Sequence, residues 1–192
     1  MADVKASLQS PSQTVGPFFH DALIKEADRI LINNATQGEK IILTGTVFDG
    51  DGVPVPDAMV EIWQADANGV FNHPDDPGQS EADPNFKGFG RSDTLKDGQY
   101  FFQTIKPGCS SLDGTDQSPY IRLRIFARGM LIHASTRVYF SDEENQHEPV
   151  FNAVPEERKH TLVAKHEPSS NPPGYRFDIH LQGDNETVFF DA

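Results

Sequence analysis

Two alternating runs, joined by a turn rich in glycine and proline, commit the middle of this chain to a sheet. Ile41 to Phe48 reads IILTGTVF. Ile42, Thr44, Thr46 and Phe48 lie on one side of an extended strand, and Ile41, Leu43, Gly45 and Val47 on the other. Asp49-Gly50-Asp51-Gly52 then forms a turn, because glycine tolerates positive φ and aspartate bonds its own backbone. Pro54 and Pro56 keep Val53 to Asp57 out of a helix and out of a central strand. Ala58 to Gln64 follows as a second strand, with Met59, Glu61 and Trp63 on one face. By spacing alone these are two core strands of a β-sandwich.

Further strands fall at Gly98 to Thr104, with Tyr100 and Phe102 on one face, and at Tyr120 to Ala127. In the second, Ile121, Leu123 and Ile125 make the apolar face, and Tyr120, Arg122, Arg124 and Phe126 the other. Arg122 and Arg124 therefore point together, to solvent or to a partner. Met130 to Phe140 predicts another strand, entered through Phe126-Ala-Arg-Gly129 as a hairpin. Tyr175 to Leu181 alternates with Tyr175, Phe177, Ile179 and Leu181 inward, and Thr187 to Phe190 is expected to close the fold. Helix is minor. Asp21 to Ile32 holds a short one. Pro155 to Lys165 is the best, with proline in its first turn, Glu156 and Glu157 near the positive end of its dipole, and Lys165 near the other. Phe71 to Phe86 and Gly108 to Ser118 read as long polar loops. The expectation is an all-β chain: a β-sandwich over residues 41–192 with minor helical elements and long loops, preceded by an arm and loop over residues 1–40.

The net charge of −13 argues against nucleic-acid and anionic-membrane partners. It also means that any carboxylate ligand needs a local cationic site. Arg122, Arg124, Arg128 and Arg137 supply one, as four of the chain's 16 basic residues. No apolar run approaches the length of a membrane span. The opening MADVKASLQS carries no apolar signal region, and Cys109 is the single cysteine. Both points fit a reducing cytoplasm.

Several short words carry a resemblance. EIWQADANG (Glu61 to Gly69), DPNF (Asp83 to Phe86), GFGR (Gly88 to Arg91) and DGQYFFQTIKPG (Asp97 to Gly108) look like the intradiol ring-cleavage dioxygenases. SQTVGP (Ser12 to Pro17), FARG (Phe126 to Gly129), YRFDIHLQG (Tyr175 to Gly183) and ETVFFD (Glu186 to Asp191) are similar to the non-metal alpha chains of that family's two-chain members. The resemblance runs from about Ser12 to the end.

It implies a ferric iron held by two tyrosines and two histidines, phenolates being hard donors suited to Fe(III). The family's first tyrosine position is here Phe71 and its second is Ser110. Its P-x-H-x-H word reads Pro119-Tyr120-Ile121-Arg122-Leu123, so Ile121 and Leu123 stand at the histidines. Ser118 replaces an arginine before that word. The preceding loop is shorter than in the iron-bearing chain, and a slip of one residue would offer Arg122 and Arg124 instead. Neither set binds a metal cation. The 7 histidines include no H-x-H pair and no i, i+4 pair. No nucleophilic triad or phosphate-binding glycine loop is present, and nothing beside Cys109 suggests an activated thiol.

The resemblance therefore implies a subunit without catalytic residues of its own. Fe(III) would sit in a partner beta chain that cleaves 3,4-dihydroxybenzoate, and this chain's own pocket would be filled by side chains such as Phe71. Thr14, Gly16 and Pro17 would shape one wall of the partner's pocket, and Arg128 would pair with the substrate carboxylate. From the residues alone, Gly16-Pro17 is an ordinary turn and Arg128 a solvated hairpin arginine. Two rival readings are a non-catalytic sandwich that binds a carboxylate or a protein, and a self-sufficient iron dioxygenase with unusual ligands.

Overall fold

The computed structural model describes residues 22–94, 97–112 and 115–191. Among the described residues eleven strands run in chain order: β1 (Lys40–Phe48), β2 (Met59–Trp63), β3 (Phe89–Asp93), β4 (Gln99–Ile105), β5 (Ser110–Leu112), β6 (Thr115–Gln117), β7 (Tyr120–Phe126), β8 (Ala134–Phe140), β9 (Val163–Glu167), β10 (Gly174–Arg176) and β11 (Ile179–His180). Nine belong to one continuous ladder, and β5 and β6 form a separate pair. Antiparallel β3-β2-β7-β8 forms one half of the ladder. In the other half β1 pairs antiparallel with β4 and parallel with β10 and β11, while β9 lies against β10. A short parallel contact, Tyr139 opposite Val163 and Phe140 opposite Ala164, joins the halves. Leu43, Phe102 and Tyr175 from one half meet Ile62, Leu123 and Ile125 from the other in a single core. This is the expected sandwich.

Alternation places side chains as expected in the strongest strands. Ile41, Leu43 and Val47 are buried, and so are Ile121, Leu123 and Ile125. The carboxylate of Asp49 accepts from the amides of Asp51 and Val53, which builds the anticipated turn. Leu31, assigned from sequence to the N-terminal arm, packs in the core, and Ile30 bridges to Gln103.

Four expectations are corrected. Pro155 to Lys165 is not an α-helix: a 3-10 stretch spans Glu156–Leu162 and β9 begins at Val163. Its end charges are compatible with a helix, but the edge of β8 recruits Val163 and Ala164 into the sheet, and pairing overrides propensity. Gly108 to Ser118 is not a loop; it contains the β5–β6 hairpin, whose polar residues carry no apolar alternation to read. The strand expected from Met130 starts at Ala134, after a turn with Gly129 at φ 85°. Thr187 to Phe190 forms no ladder; single bonds hold it, from the Thr187 amide to His180 and from the Phe190 amide to Ser135. Within Asp21 to Ile32, Ala22 and Leu23 are helical and a 3-10 turn spans Glu26–Arg29, while Asp21 lies outside the described residues; a short α1 (Pro149–Asn152) stands where no helix was expected.

A charged cluster at the join of the halves contributes to the alkaline pH response. Lys106 Nζ lies 2.9 Å from Asp142 and 2.6 Å from Glu143, and the Tyr175 hydroxyl donates to Asp142 at 2.8 Å. Burial, reinforced by Asp142, pushes the Tyr175 phenol up to about 12. Burial also raises Tyr139. Both are acids that hold their protons longer when folded, so unfolding releases protons above pH 10. Stability should therefore be level through neutrality and fall as pH climbs from about 10 towards 12. Urea midpoints across that range check this, and Tyr175→Phe should soften the fall.

Candidate functional site

The outward face of the β3-β2-β7-β8 half forms the floor of a cavity of about 580 Å³. Register decides its lining. Trp63 on β2 stands opposite Arg122 on β7, which stands opposite Arg137 on β8, and Glu61 stands opposite Arg124. Because side chains alternate along a strand, Tyr120, Arg122 and Arg124 share that face, while Ile121 and Leu123 turn to the core. The β5–β6 hairpin contributes Ser110, Ser111 and Gln117. The segment after β2 contributes Phe71, His73 and Asp75 to Pro77.

Aspartates shape that segment. Asp66 accepts from the Asn68 and Val70 amides with one oxygen and from Asp83 with the other. Asp76 accepts from the Phe71 and Gly78 amides. Asp83, held below the usual carboxylate range mainly by the amides of Gln37 and Asn85, ties the far end down. These bonds place the Phe71 ring in a stack with Trp63, centroids 6.0 Å apart. His73 packs perpendicular to Trp63, centroids 6.1 Å apart. Gly108 donates to the Asp66 carbonyl at 2.9 Å, which brings Ser110 to the same cavity.

The charges are unevenly paired. Glu61 is taken by Arg91 at 2.7 Å. The Arg137 guanidinium lies 4.2 Å over the Tyr120 ring and 3.2 Å from fully buried Glu148, which also accepts from the Tyr139 hydroxyl and the Phe151 amide. Among the described residues neither Arg122 nor Arg124 has a carboxylate partner. Arg124 is felt by His133, whose pKa is lowered first by burial and then by that charge.

The sequence-derived positions separate. Phe71 and Ser110 line the cavity, whereas Ile121 and Leu123 are core residues at 0 % exposure. The side chains that do converge with Phe71 and Ser110 are Arg122 and Arg124, as the one-residue slip would have it. Phe71 does not fill the cavity; it forms one wall. Arg128 lies outside it, its side chain 70 % exposed and paired with Asp57 at 2.7 Å. Thr14, Gly16 and Pro17 lie outside the described residues. Arg137, named from the sequence with Arg122 and Arg124 as a cationic group, does line the cavity. Trp63, Gln117 and Tyr120 were not anticipated as lining residues; Trp63 and Tyr120 could have been found from the strand faces, but Gln117 only from pairing.

Iron fits this cavity poorly. A phenyl ring, a serine hydroxyl and guanidiniums offer Fe(III) no anionic donor set, and the nearby Glu61 and Asp76 carboxylates are already engaged. Among the described residues no three His, Cys, Asp or Glu side chains gather as a metal site. None of the helices among them is long and apolar enough to cross a membrane.

Comparisons with known proteins agree with this architecture. A family model described as "Dioxygenase" matches residues 14–183. The chain is 43% identical to the protocatechuate 3,4-dioxygenase alpha chain of Burkholderia cepacia, covering 96% of this chain and 98% of that one. It is 34% identical to the beta chain of the same enzyme, covering 92% and 77%. In structure it resembles an intradiol ring-cleavage dioxygenase from Tetranychus urticae, with TM-score 0.64, 18% identity and 95% and 100% coverage, a likeness of fold. Motifs, sandwich and family match thus converge, and the chain belongs to the intradiol ring-cleavage dioxygenase family.

Proposed function

We propose that this chain is the alpha-type subunit of a protocatechuate 3,4-dioxygenase and works with an iron-holding beta chain in the cytoplasm. The pair would cleave 3,4-dihydroxybenzoate between its hydroxyl-bearing carbons, adding both atoms of O2 to give 3-carboxy-cis,cis-muconate. One observation carries the reading. A chain that aligns almost end to end with an alpha chain presents Phe71, Ser110, Arg122 and Arg124 at the cavity where its fold would need metal ligands. Arg122 and Arg124 are then the counterparts of the family's two histidines, in place of Ile121 and Leu123. Iron, when bound in the partner, supplies the activation of the catechol. This chain supplies binding: Thr14, Gly16 and Pro17 as a wall of the partner's pocket, and Arg128 as a carboxylate clamp.

The pairing of Arg128 with Asp57 is no obstacle. An exposed ion pair is worth at most about 1 kcal/mol. A bidentate guanidinium–carboxylate bond in a drier pocket is worth about 1.5–3 kcal/mol, so exchange favours the substrate. Arg128→Ala in the assembled enzyme should raise KM about tenfold or more while kcat changes less, the signature of binding felt equally by substrate and transition state. An unchanged KM retires the role.

The reading as a whole is tested by co-expressing the chain with a beta chain. Iron and protocatechuate turnover are expected in the complex, and a colourless, iron-free preparation of the chain alone. Turnover by the beta chain that is indifferent to this one would argue against it.

A further inference from the structure

We propose that the arginine-lined cavity of this chain is itself a metal-independent binding site for a small aromatic carboxylate. This goes beyond the subunit role, because it rests only on the chain's own side chains and needs no beta chain.

The cavity is of the right kind. At about 580 Å³ it lies within the range of small-molecule sites, with aromatic walls and a few convergent polar groups. Trp63 and Phe71 present nearly parallel ring faces, 18° apart in plane. A planar ligand gains from stacking beside them. On the floor, Arg122 and Arg124 stand two residues apart on one face of β7, held by pairing on both sides.

The strand floor of the cavity carries more arginine than carboxylate despite the chain's net −13. Arg137 is neutralised by Glu148, and Glu61 by Arg91. Asp76 is fastened to backbone amides, and Asp75 is 92 % exposed beside His73. Those two carboxylates sit on the segment after β2, whereas on the floor Arg122 and Arg124 stand without carboxylate partners among the described residues. Guanidiniums repel a metal cation but offer parallel N–H donors to a carboxylate. The same pair that makes iron a poor guest makes benzoate a good one.

The chain contains one tryptophan, Trp63, and it forms a wall of the cavity. Its fluorescence therefore reports occupancy directly. The full chain is titrated with benzoate, followed by tryptophan emission and by calorimetry. The expected result is saturable one-to-one binding with a change in emission. Benzyl alcohol, which keeps the ring and lacks the charge, should not bind. Arg124→Gln changes an exposed side chain and should weaken benzoate at least tenfold with an unaltered thermal midpoint; Arg122→Gln should do the same. If the chain is handled only as a complex with a beta chain, wild-type and Arg124→Gln complexes are compared by calorimetry, so that the partner's own binding cancels. Three results would overturn the proposal: no saturable binding, benzoate affinity unchanged in a folded Arg124→Gln, or displacement of benzoate by an equal concentration of inorganic phosphate, which would mark an unselective anion pocket. None of these depends on iron or turnover, so failure here leaves the subunit role to its own test.

Discussion

Replacing Glu148 with alanine should destabilise the fold by about 3–5 kcal/mol, the usual cost of removing one partner from a buried ion pair. The side chain is 0 % exposed and has three tasks. It neutralises Arg137 at 3.2 Å, accepts from the Tyr139 hydroxyl at 2.8 Å, and caps α1 through the Phe151 amide. Alanine leaves a guanidinium at 9 % exposure without its anion, and two donors without an acceptor. The Coulombic attraction within the pair matters less than the desolvated charge left behind. Glu148→Gln separates the contributions: it keeps acceptor and shape but loses the neutralising charge, so its cost should be intermediate. Urea unfolding measures both. A loss below about 1 kcal/mol in the alanine variant would mean that water reaches Arg137 once the carboxylate is gone. Because Arg137 also lines the cavity, the variant should alter Trp63 emission as well as stability.

Gly69→Ala is the second large effect. Gly69 has φ +81°, and a Cβ there would stand 1.8 Å from the Cys109 carbonyl oxygen. That oxygen is backbone and cannot swing aside as a side chain would. The left-handed conformation costs a residue with a Cβ about 1–2 kcal/mol, and relieving such overlap about 1–3 kcal/mol more. A total of about 2–5 kcal/mol is expected from urea unfolding. Gly52→Ala is the control: its φ is +76°, but nothing lies within 4 Å of the new Cβ, so only the conformational cost of about 1–2 kcal/mol applies. Equal losses at both positions would show that the contact with Cys109 carries no cost. The site should feel the change too, because Gly69 is where the segment bearing Phe71 touches the segment bearing Ser110. Pushing them apart widens the cavity and disturbs the stack on Trp63.

The same residues show what could be read early. The EIWQADANG word marks both the family and this junction, yet its physical purpose is visible only when Cys109, far along the chain, arrives beside Gly69. The polar face of β7 was legible as Tyr120, Arg122, Arg124 and Phe126, but the alternatives for its surroundings were solvent or a partner. The structure supplies a third: the chain's own cavity, walled by Phe71 and by Ser110 on a hairpin that looked like a loop. Aligning P-x-H-x-H by its proline put Ile121 and Leu123 at the histidine positions. Burial places those two in the core, because a shift of one residue along a strand exchanges its faces.

By itself the sequence determined the strand faces, the all-β class, the family and the lack of metal-binding side chains at Phe71 and Ser110. These are local facts: alternation has a period of two, and a phenyl ring has no oxygen wherever it lies. Only the tertiary structure decided that Arg122 and Arg124 share a cavity with Trp63 and Phe71, that Arg137 answers to Glu148, and that Val163 leaves a helical run to join a sheet. Those outcomes depend on pairing between segments distant in the chain, and the hydrogen bonds and buried charges that select a register exist only once both partners are in place.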